Sequence, residues 1–213
     1  MIVSMWMTRD PLTIRPHTPL AEAAALMAAR NIRRLPIVEP HPEGDHPVGI
    51  VSASDLLRAA PAGVNPLAGN AAPPLAGKAG DMMRAKLLTI AADAPIEAAA
   101  TLMQSRKIGA LPVLRGPILA GIITESDVFR AFASLFAGAP GDARITFDMS
   151  QGEDTFGLIA RLVPRRKVRI ESLFSTMQDE LPVCVVRVSG KDVDALLEDL
   201  WDSGHRVLNV LRL

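Results

Sequence analysis

Two stretches of the chain carry one pattern, Gly49-Ile-Val-Ser52-Ala-Ser54-Asp55 and Gly121-Ile-Ile-Thr124-Glu-Ser126-Asp127. In each, an apolar run ends on a hydroxyl, and a carboxylate follows three residues later, as where a strand feeds a helix. Such a junction suits a nucleotide. The helix start offers unpaired N–H groups and the positive dipole end to a phosphate. Ser52 or Thr124 can add a hydroxyl donor, and Asp55 or Asp127 can accept from both hydroxyls of a ribose without any catalysis. The plainer alternative is N-capping, since Ser and Asp satisfy backbone donors at helix starts of many kinds. Two copies in register favour the ligand.

The register extends well beyond these junctions. Met7/Met83, Thr13/Thr89, Pro19/Pro95, Met27/Met103 and Pro36/Pro112 are all 76 residues apart, and Gly49/Gly121 and Asp55/Asp127 are both 72 apart. The slip falls in Glu39–Pro47, read as a loop that is longer in the first copy. Each copy predicts a short strand (Leu12–Ile14; Leu88–Ile90) and a helix with Pro19 or Pro95 in its first turn. Thr18 is the expected N-cap of the first helix, while the matching Ala94 cannot cap. Leu20, Ala24 and Met27 share one helical face, as do Ile96, Ala100 and Met103. Two strands follow (Leu35–Val38 and Val48–Ser52; Leu111–Leu114 and Leu119–Thr124), then a helix from Ser54 or Ser126. A unit of about 55 residues is close to the lower limit for independent stability, so the copies are expected to pack together.

The repeats resemble a pair of CBS domains, the cystathionine-β-synthase motif that forms a Bateman module. The residues that carry the likeness are Met7-Thr8 and Met82-Met83, Ile32-Arg-Arg-Leu-Pro36 and Ile108-Gly-Ala-Leu-Pro112, and the two Gly-to-Asp junctions. The resemblance implies clefts between the domains that take AMP, ADP or ATP, or S-adenosylmethionine or NAD. It also places Thr13 and Thr89 on strands that present backbone to the base. Ser52, Ser54 and Asp55, with Thr124, Ser126 and Asp127, fall on the sugar–phosphate side. Arg33 and Arg34 occupy positions from which related proteins reach phosphates; Gly109 and Ala110 stand there in the second copy and imply a weaker grip. Arg33 and Arg34 can equally be surface charges covering apolar area.

Beyond the Gly/Pro/Ala break at 137–143 the pattern changes. Strands are expected at Arg144–Met149, Val168–Thr176, Leu181–Val188 and Val207–Leu213, with helices at Thr155–Val163 and Asp192–Ser203. Phe156, Ile159, Ala160 and Val163 would form the buried face of the first helix. This βαββαβ order is similar to the ferredoxin-like ACT domain, which implies dimerisation and sometimes an amino-acid ligand. The loop Asp148-Met-Ser-Gln-Gly-Glu-Asp154 keeps a Gly but lacks the family's Pro, which argues against amino-acid binding. The whole order resembles the acetoin-utilisation AcuB-type proteins in architecture. The expected fold is therefore α/β (α+β): CBS domains at 1–60 and 81–136, a Pro/Gly/Ala link at 61–80, and an ACT-like domain at 143–213.

Composition narrows the functional class. Lys+Arg and Asp+Glu are both 23, so the chain lacks the basic excess that grips nucleic acid. The run Arg161, Arg165, Arg166, Lys167, Arg169 reads as a solvated helix end and loop. The single cysteine, Cys184, excludes an intrachain disulfide and reads as a buried apolar residue. His41 and His46 flank a hairpin loop without metal-ligand spacing. No secretory leader or membrane span is evident, so a cytoplasmic protein is expected. No nucleophile elbow, metalloprotease or phosphate-loop motif appears, and the methionines read as core filler. The expectation is a non-catalytic, homodimeric sensor of adenine nucleotides acting on an unidentified protein partner. The alternatives are a constitutive scaffold with vestigial sites and an amino-acid sensor.

Overall fold

The duplication becomes two matching halves of one α/β unit in the computed structural model, which describes residues 1–68, 75–83, 87–152 and 154–212. Residues 69–74 of the expected link, 84–86 of the second copy, Glu153 of the Asp148–Asp154 loop and Leu213 lie outside the described residues. The chain divides into compact units at 1–131 and 132–213.

The first half contains β1 (Thr8–Arg9), α1 (Leu20–Arg30), β2 (Arg34–His41), β3 (Gly44–Ser52) and α2 (Ala53–Ala59). The second contains β4 (Ile90–Ala91), α3 (Ile96–Arg106), β5 (Ala110–Arg115), β6 (Ile118–Thr124) and α4 (Glu125–Phe136). Strands β2 and β3 pair antiparallel almost to their tips, leaving only Pro42-Glu43 as the turn. Glu39–Pro47 is thus mostly strand, and its extra length is a longer hairpin. Thr18 does not cap α1: Pro19 is the N-cap, and the Thr18 hydroxyl accepts from the Arg15 amide at 3.0 Å. Leu20, Ala24 and Met27 are buried as expected, while in α3 Ala99 replaces Ala100 in the core beside Ile96 and Met103.

Each half borrows its lead-in from the other. β1, at the start of the chain, pairs with β6 in the sheet β1-β6-β5-β4, and the Val3 and Ser4 amides donate to Ala94 and Ala92. Reciprocally, the Leu20 amide donates to Gly77, and the Ala79 and Gly80 amides donate to Thr18 and Pro16. The exchange explains two repeated residue types at once. A Cβ on Gly49 would lie 2.7 Å from the Met83 side chain, and one on Gly121 would lie 2.7 Å from Met7 Sδ and 2.6 Å from the Thr8 carbonyl oxygen. Each glycine therefore makes room for the lead-in methionine of the opposite copy. A methionine side chain can yield; a paired backbone carbonyl cannot without moving β1. Gly121→Ala is thus expected to cost about 1–3 kcal/mol, the usual range for overpacking, and more than Gly49→Ala. Chemical denaturation of the two variants checks this ordering.

The second unit begins within α4 and contains β7 (Ala143–Asp148), α5 (Thr155–Leu162), β8 (Val168–Gln178), β9 (Leu181–Gly190), α6 (Val193–Asp202) and β10 (Val207–Arg212). Its sheet runs β10-β7-β9-β8 with every neighbour antiparallel, an order compatible with a ferredoxin-like fold. Ile145, Phe147, Cys184, Val186 and Val188 on the sheet pack with Leu158, Ile159, Leu196 and Leu200 from the two helices. The buried face of α5 is Thr155, Leu158 and Ile159, whereas Phe156 and Ala160 are exposed. The face is turned from the expected one because Leu158 and Leu162, four residues apart, take the side that meets the sheet. Burial raises the pKa of the Cys184 thiol. Arg166 in the basic run is not simply solvated: it forms a bidentate pair with Asp199 at 2.8 and 2.7 Å. Asp148 accepts from the Ser150 amide at 2.8 Å, and hydrogen bonding by Ser150, side chain and backbone, holds its carboxyl below the usual range, with Arg206 adding to the effect.

Candidate nucleotide cleft

Both junctions form the caps that their residue types dictate. Ser52 is the N-cap of α2: its hydroxyl accepts from the Asp55 amide at 3.2 Å, and Asp55 Oδ2 accepts from the Ser52 amide at 2.8 Å and from its hydroxyl at 2.5 Å. Thr124 and Asp127 repeat this at 3.4, 2.9 and 2.7 Å. The remaining oxygen of each carboxylate pairs with an arginine one turn on, Asp55 with Arg58 and Asp127 with Arg130 at 2.8 Å. Arg130 also donates to the Trp6 carbonyl. The capping role is thus realised in both copies, and it holds each carboxylate in one orientation. The two differ in access, since Asp127 is buried and Asp55 is half-buried.

Beside the first junction lies a cavity of about 610 Å³, within the size range of small-molecule sites. Ser52, Ala53, Ser54 and Asp55 line it from the first copy, together with Arg33, Arg34, Gly49, Ile50 and Arg58. Leu87, Leu88, Arg106, Lys107, Ile108, Gly109, Ala110 and Glu125 line it from the second copy, with Met82 from its lead-in. Of the expected site residues, Arg33, Arg34, Ser52, Ser54, Asp55, Gly109 and Ala110 are brought together here. Thr13, Thr89, Thr124, Ser126 and Asp127 are outside this lining. Thr13 and Thr89 each precede the short pairing of their copy, an Ile14–Ile37 bridge and β4.

The cavity has two characters. Ile50, Met82, Leu87, Leu88 and Ile108 give it an apolar wall. Arg33, Arg34, Arg58, Arg106 and Lys107 give it five cationic side chains against two carboxylates, Asp55 and Glu125. Four of these charged residues, Arg58, Arg106, Lys107 and Glu125, were not anticipated. For two of them the signal was present in the sequence, because Arg106-Lys107 directly precede the repeated Ile-x-x-Leu-Pro motif.

Gly109 explains the asymmetry between the copies. It stands where the first copy has Arg33. A Cβ on it would overlap the Arg34 guanidinium and come 2.8 Å from Glu125 Oε2. The second copy therefore lacks a basic residue here so that Arg34 of the first copy can cross over it. Lys107 is held differently, closing α3 in the left-handed conformation at φ 51°. The matching position in α1 is Asn31, a residue type better suited to it. A lysine there costs about 1 kcal/mol. Lys107→Gly is accordingly expected to stabilise the fold by up to about 1 kcal/mol while weakening anion binding in the cleft. Denaturation and phosphate-competition measurements on the same variant check both halves.

Among the described residues, no group of three or more His, Cys, Asp or Glu could hold a metal ion, and no helix is long and apolar enough to cross a membrane.

Comparison with known proteins agrees with the internal repeat. An uncharacterised protein of Methanocaldococcus jannaschii is 33% identical over 142 residues, which cover 64% of this chain and 33% of that protein. The chain spans between about a third and a half of the length of the first curated relatives it matches. Among solved structures, a Vibrio cholerae protein described as an acetoin utilization protein (AcuB) is 33% identical with a TM-score of 0.51, over 64% of this chain and 93% of that one. CBSX2, solved in complex with AMP, is 26% identical with a TM-score of 0.51, over 64% and 98%. The CBS domain pair of MJ0100, solved with 5′-methylthioadenosine and S-adenosylmethionine, is 27% identical with a TM-score of 0.50, over 62% and 96%. The CBS domain family matches residues 3–62 and 79–134, one match for each copy of the repeat. With more than half of its sequence so matched, the chain belongs to the CBS domain family as a tandem pair.

Proposed function

We propose that this protein is a non-catalytic regulator that binds an adenine nucleotide (AMP, ADP or ATP) in the cleft centred on Ser52 and Asp55. The observation that carries this reading is one cavity with an apolar wall and a cationic wall, the two chemistries of a base and a phosphate chain. Leu87, Leu88 and Ile108 offer surface to the base, Asp55 faces the ribose, and Arg33, Arg34, Arg58, Arg106 and Lys107 meet the phosphates. The excess of cations favours an anionic nucleotide over S-adenosylmethionine, whose sulfonium adds positive charge to a site already rich in it. The AMP complex of CBSX2 supports the ligand class, while the MJ0100 complex keeps S-adenosylmethionine as the comparison to test. Thr124, Ser126 and Asp127 would form a second, weaker site with Thr13.

In this reading the second unit is an ACT-like domain that transmits the signal or assembles a homodimer in the cytoplasm, and a separate protein is the regulated target. Binding shifts the CBS pair only to the extent that two arrangements differ in affinity for the ligand. Thermal melting with AMP, ADP, ATP, S-adenosylmethionine and single amino acids tests the reading. A nucleotide at a hundred times its Kd stabilises the folded state by about 2.7 kcal/mol, and Asp55→Ala should diminish that shift. A melt that no adenine compound moves would point to a scaffold with vestigial sites. One moved by amino acids alone would point to the second unit as the sensor.

A further inference from the structure

The second unit holds a buried cation that its own fold answers only in part. Arg187, in the middle of β9, is 8% exposed, and its Nε has no hydrogen-bond partner. No ion pair to it is found among the described residues. Its cross-strand neighbour on β7 is another cation, Arg144, and its neighbour on β8 is Ser172. Directly opposed residues lie on the same face of a sheet, and like charges so placed are destabilising. This face is opposite the one that carries Ile145, Phe147, Val186 and Val188.

The groups around Arg187 neutralise it only in part: Glu171 feels its charge, but less than the hydrogen bonds from Ser189 and Arg169. Glu171 lies on the same side, displaced there by the bulge between Ile170 and Ser172, but its carboxylate already accepts from Ser189 at 2.5 Å and from Arg169 at 3.0 Å. The end of α4 covers part of the face, with Phe136 edge-on to Phe174 and its carbonyl accepting from Arg144 at 3.1 Å. A helix C-terminus supplies roughly half a negative charge, against two full positive ones. A buried guanidinium N–H without an acceptor leaves a charged donor unsatisfied, which is costly. Its planar fork matches carboxylate and phosphate oxygens.

We propose that Arg187 and Arg144 form an anion site on this face of the second unit, taking a small oxyanion, carboxylate or phosphate, with the Ser172 hydroxyl beside it. The site is separate from the nucleotide cleft and does not depend on that reading. The full-length chain is melted by calorimetry in rising potassium phosphate and in potassium acetate, with potassium chloride at matched ionic strength as the reference. The transition of the second unit should rise saturably, by several degrees, with one of the two oxyanions, and which one responds identifies the class. Arg187→Met should abolish the response and raise the midpoint in chloride alone. Arg144→Gln, at a less buried position, should weaken the response several-fold, and Arg34→Ala should leave it unchanged. The proposal is overturned if neither oxyanion exceeds chloride, if Arg187→Met and Arg144→Gln respond like the unmodified chain, or if Arg34→Ala removes the shift. A midpoint that follows protein concentration rather than either anion also overturns it, because a second copy would then supply the counter-charge.

Discussion

Replacing Gly109 with leucine is expected to lower affinity for ATP by about ten- to a hundredfold. The carbonyl of Gly109 accepts from the Glu125 amide, and what matters for the cleft is that the residue has no side chain. Arg34 crosses from the first copy into the space where any side chain on Gly109 would sit, and a leucine there would both expel the guanidinium and fill part of the cleft. A hydrogen bond to a charged group contributes about 1.5–3 kcal/mol, and each 1.4 kcal/mol is tenfold in affinity. Arg34→Ala should produce a loss of the same order. Because the two substitutions remove one interaction, the double variant should be little worse than the poorer single one, a clear departure from additivity. Arg34→Lys should fall between, since it keeps the charge and loses the planar fork. Competition titrations with ATP on these four variants check the order. Equal affinity in all of them would remove Arg34 from the site.

The largest expected effect on stability is that of Phe147→Ala. Phe147 is fully buried, on β7 opposite Cys184 and among the helices of the second unit. Removing a buried phenyl ring costs about 3–5 kcal/mol. In a domain of this size each kcal/mol moves the midpoint by about 4–8 °C, so the second unit should melt more than ten degrees earlier. Every residue lining the candidate cleft belongs to the first unit. ATP affinity at a temperature where both units are folded should therefore be unchanged. Scanning calorimetry with and without ATP separates the two outcomes. A drop of less than about 1 kcal/mol would contradict a single close-packed core, and a parallel loss of ATP binding would contradict the independence of the cleft.

Much of the fold could be read from the register of the repeat, because strand and helix periods are local properties and appeared twice. The paired strands and both junctions were visible in this way, and the βαββαβ order of the second unit, which occurs only once, was visible from the periods alone. The exchange of lead-ins was not. A two-residue strand such as β1 carries no sign of which sheet it will join, and its partner β6 is more than a hundred residues away. Thr18 failed as a cap for a related reason: its hydroxyl found the Arg15 amide, and Pro19 took the capping position. Phe156 was placed inside because phenylalanine is apolar, but Leu158 and Ile159 fill the face that meets the sheet.

The candidate site was legible in part for the same cause. Alignment of the copies pointed to Ser52, Asp55, Arg33 and Arg34, and it exposed Gly109 as a mismatch. It could not show that the mismatch in one copy accommodates a side chain of the other. Arg58, Arg106 and Lys107 were passed over because charged residues at helix ends are usually solvated. Arg187 carried a clear signal, a lone cation in the apolar run Val183–Val188.

The proposed function requires an adenine nucleotide to bind in the cleft between the two CBS domains, with Arg34 on its phosphates. Calorimetric titration of ATP and of S-adenosylmethionine into the full-length chain and into Arg34→Ala tests it most directly. Saturable ATP binding is expected, tighter than that of S-adenosylmethionine and at least tenfold weaker in Arg34→Ala. Saturable binding of neither compound, or ATP binding that Arg34→Ala leaves unchanged, would contradict it.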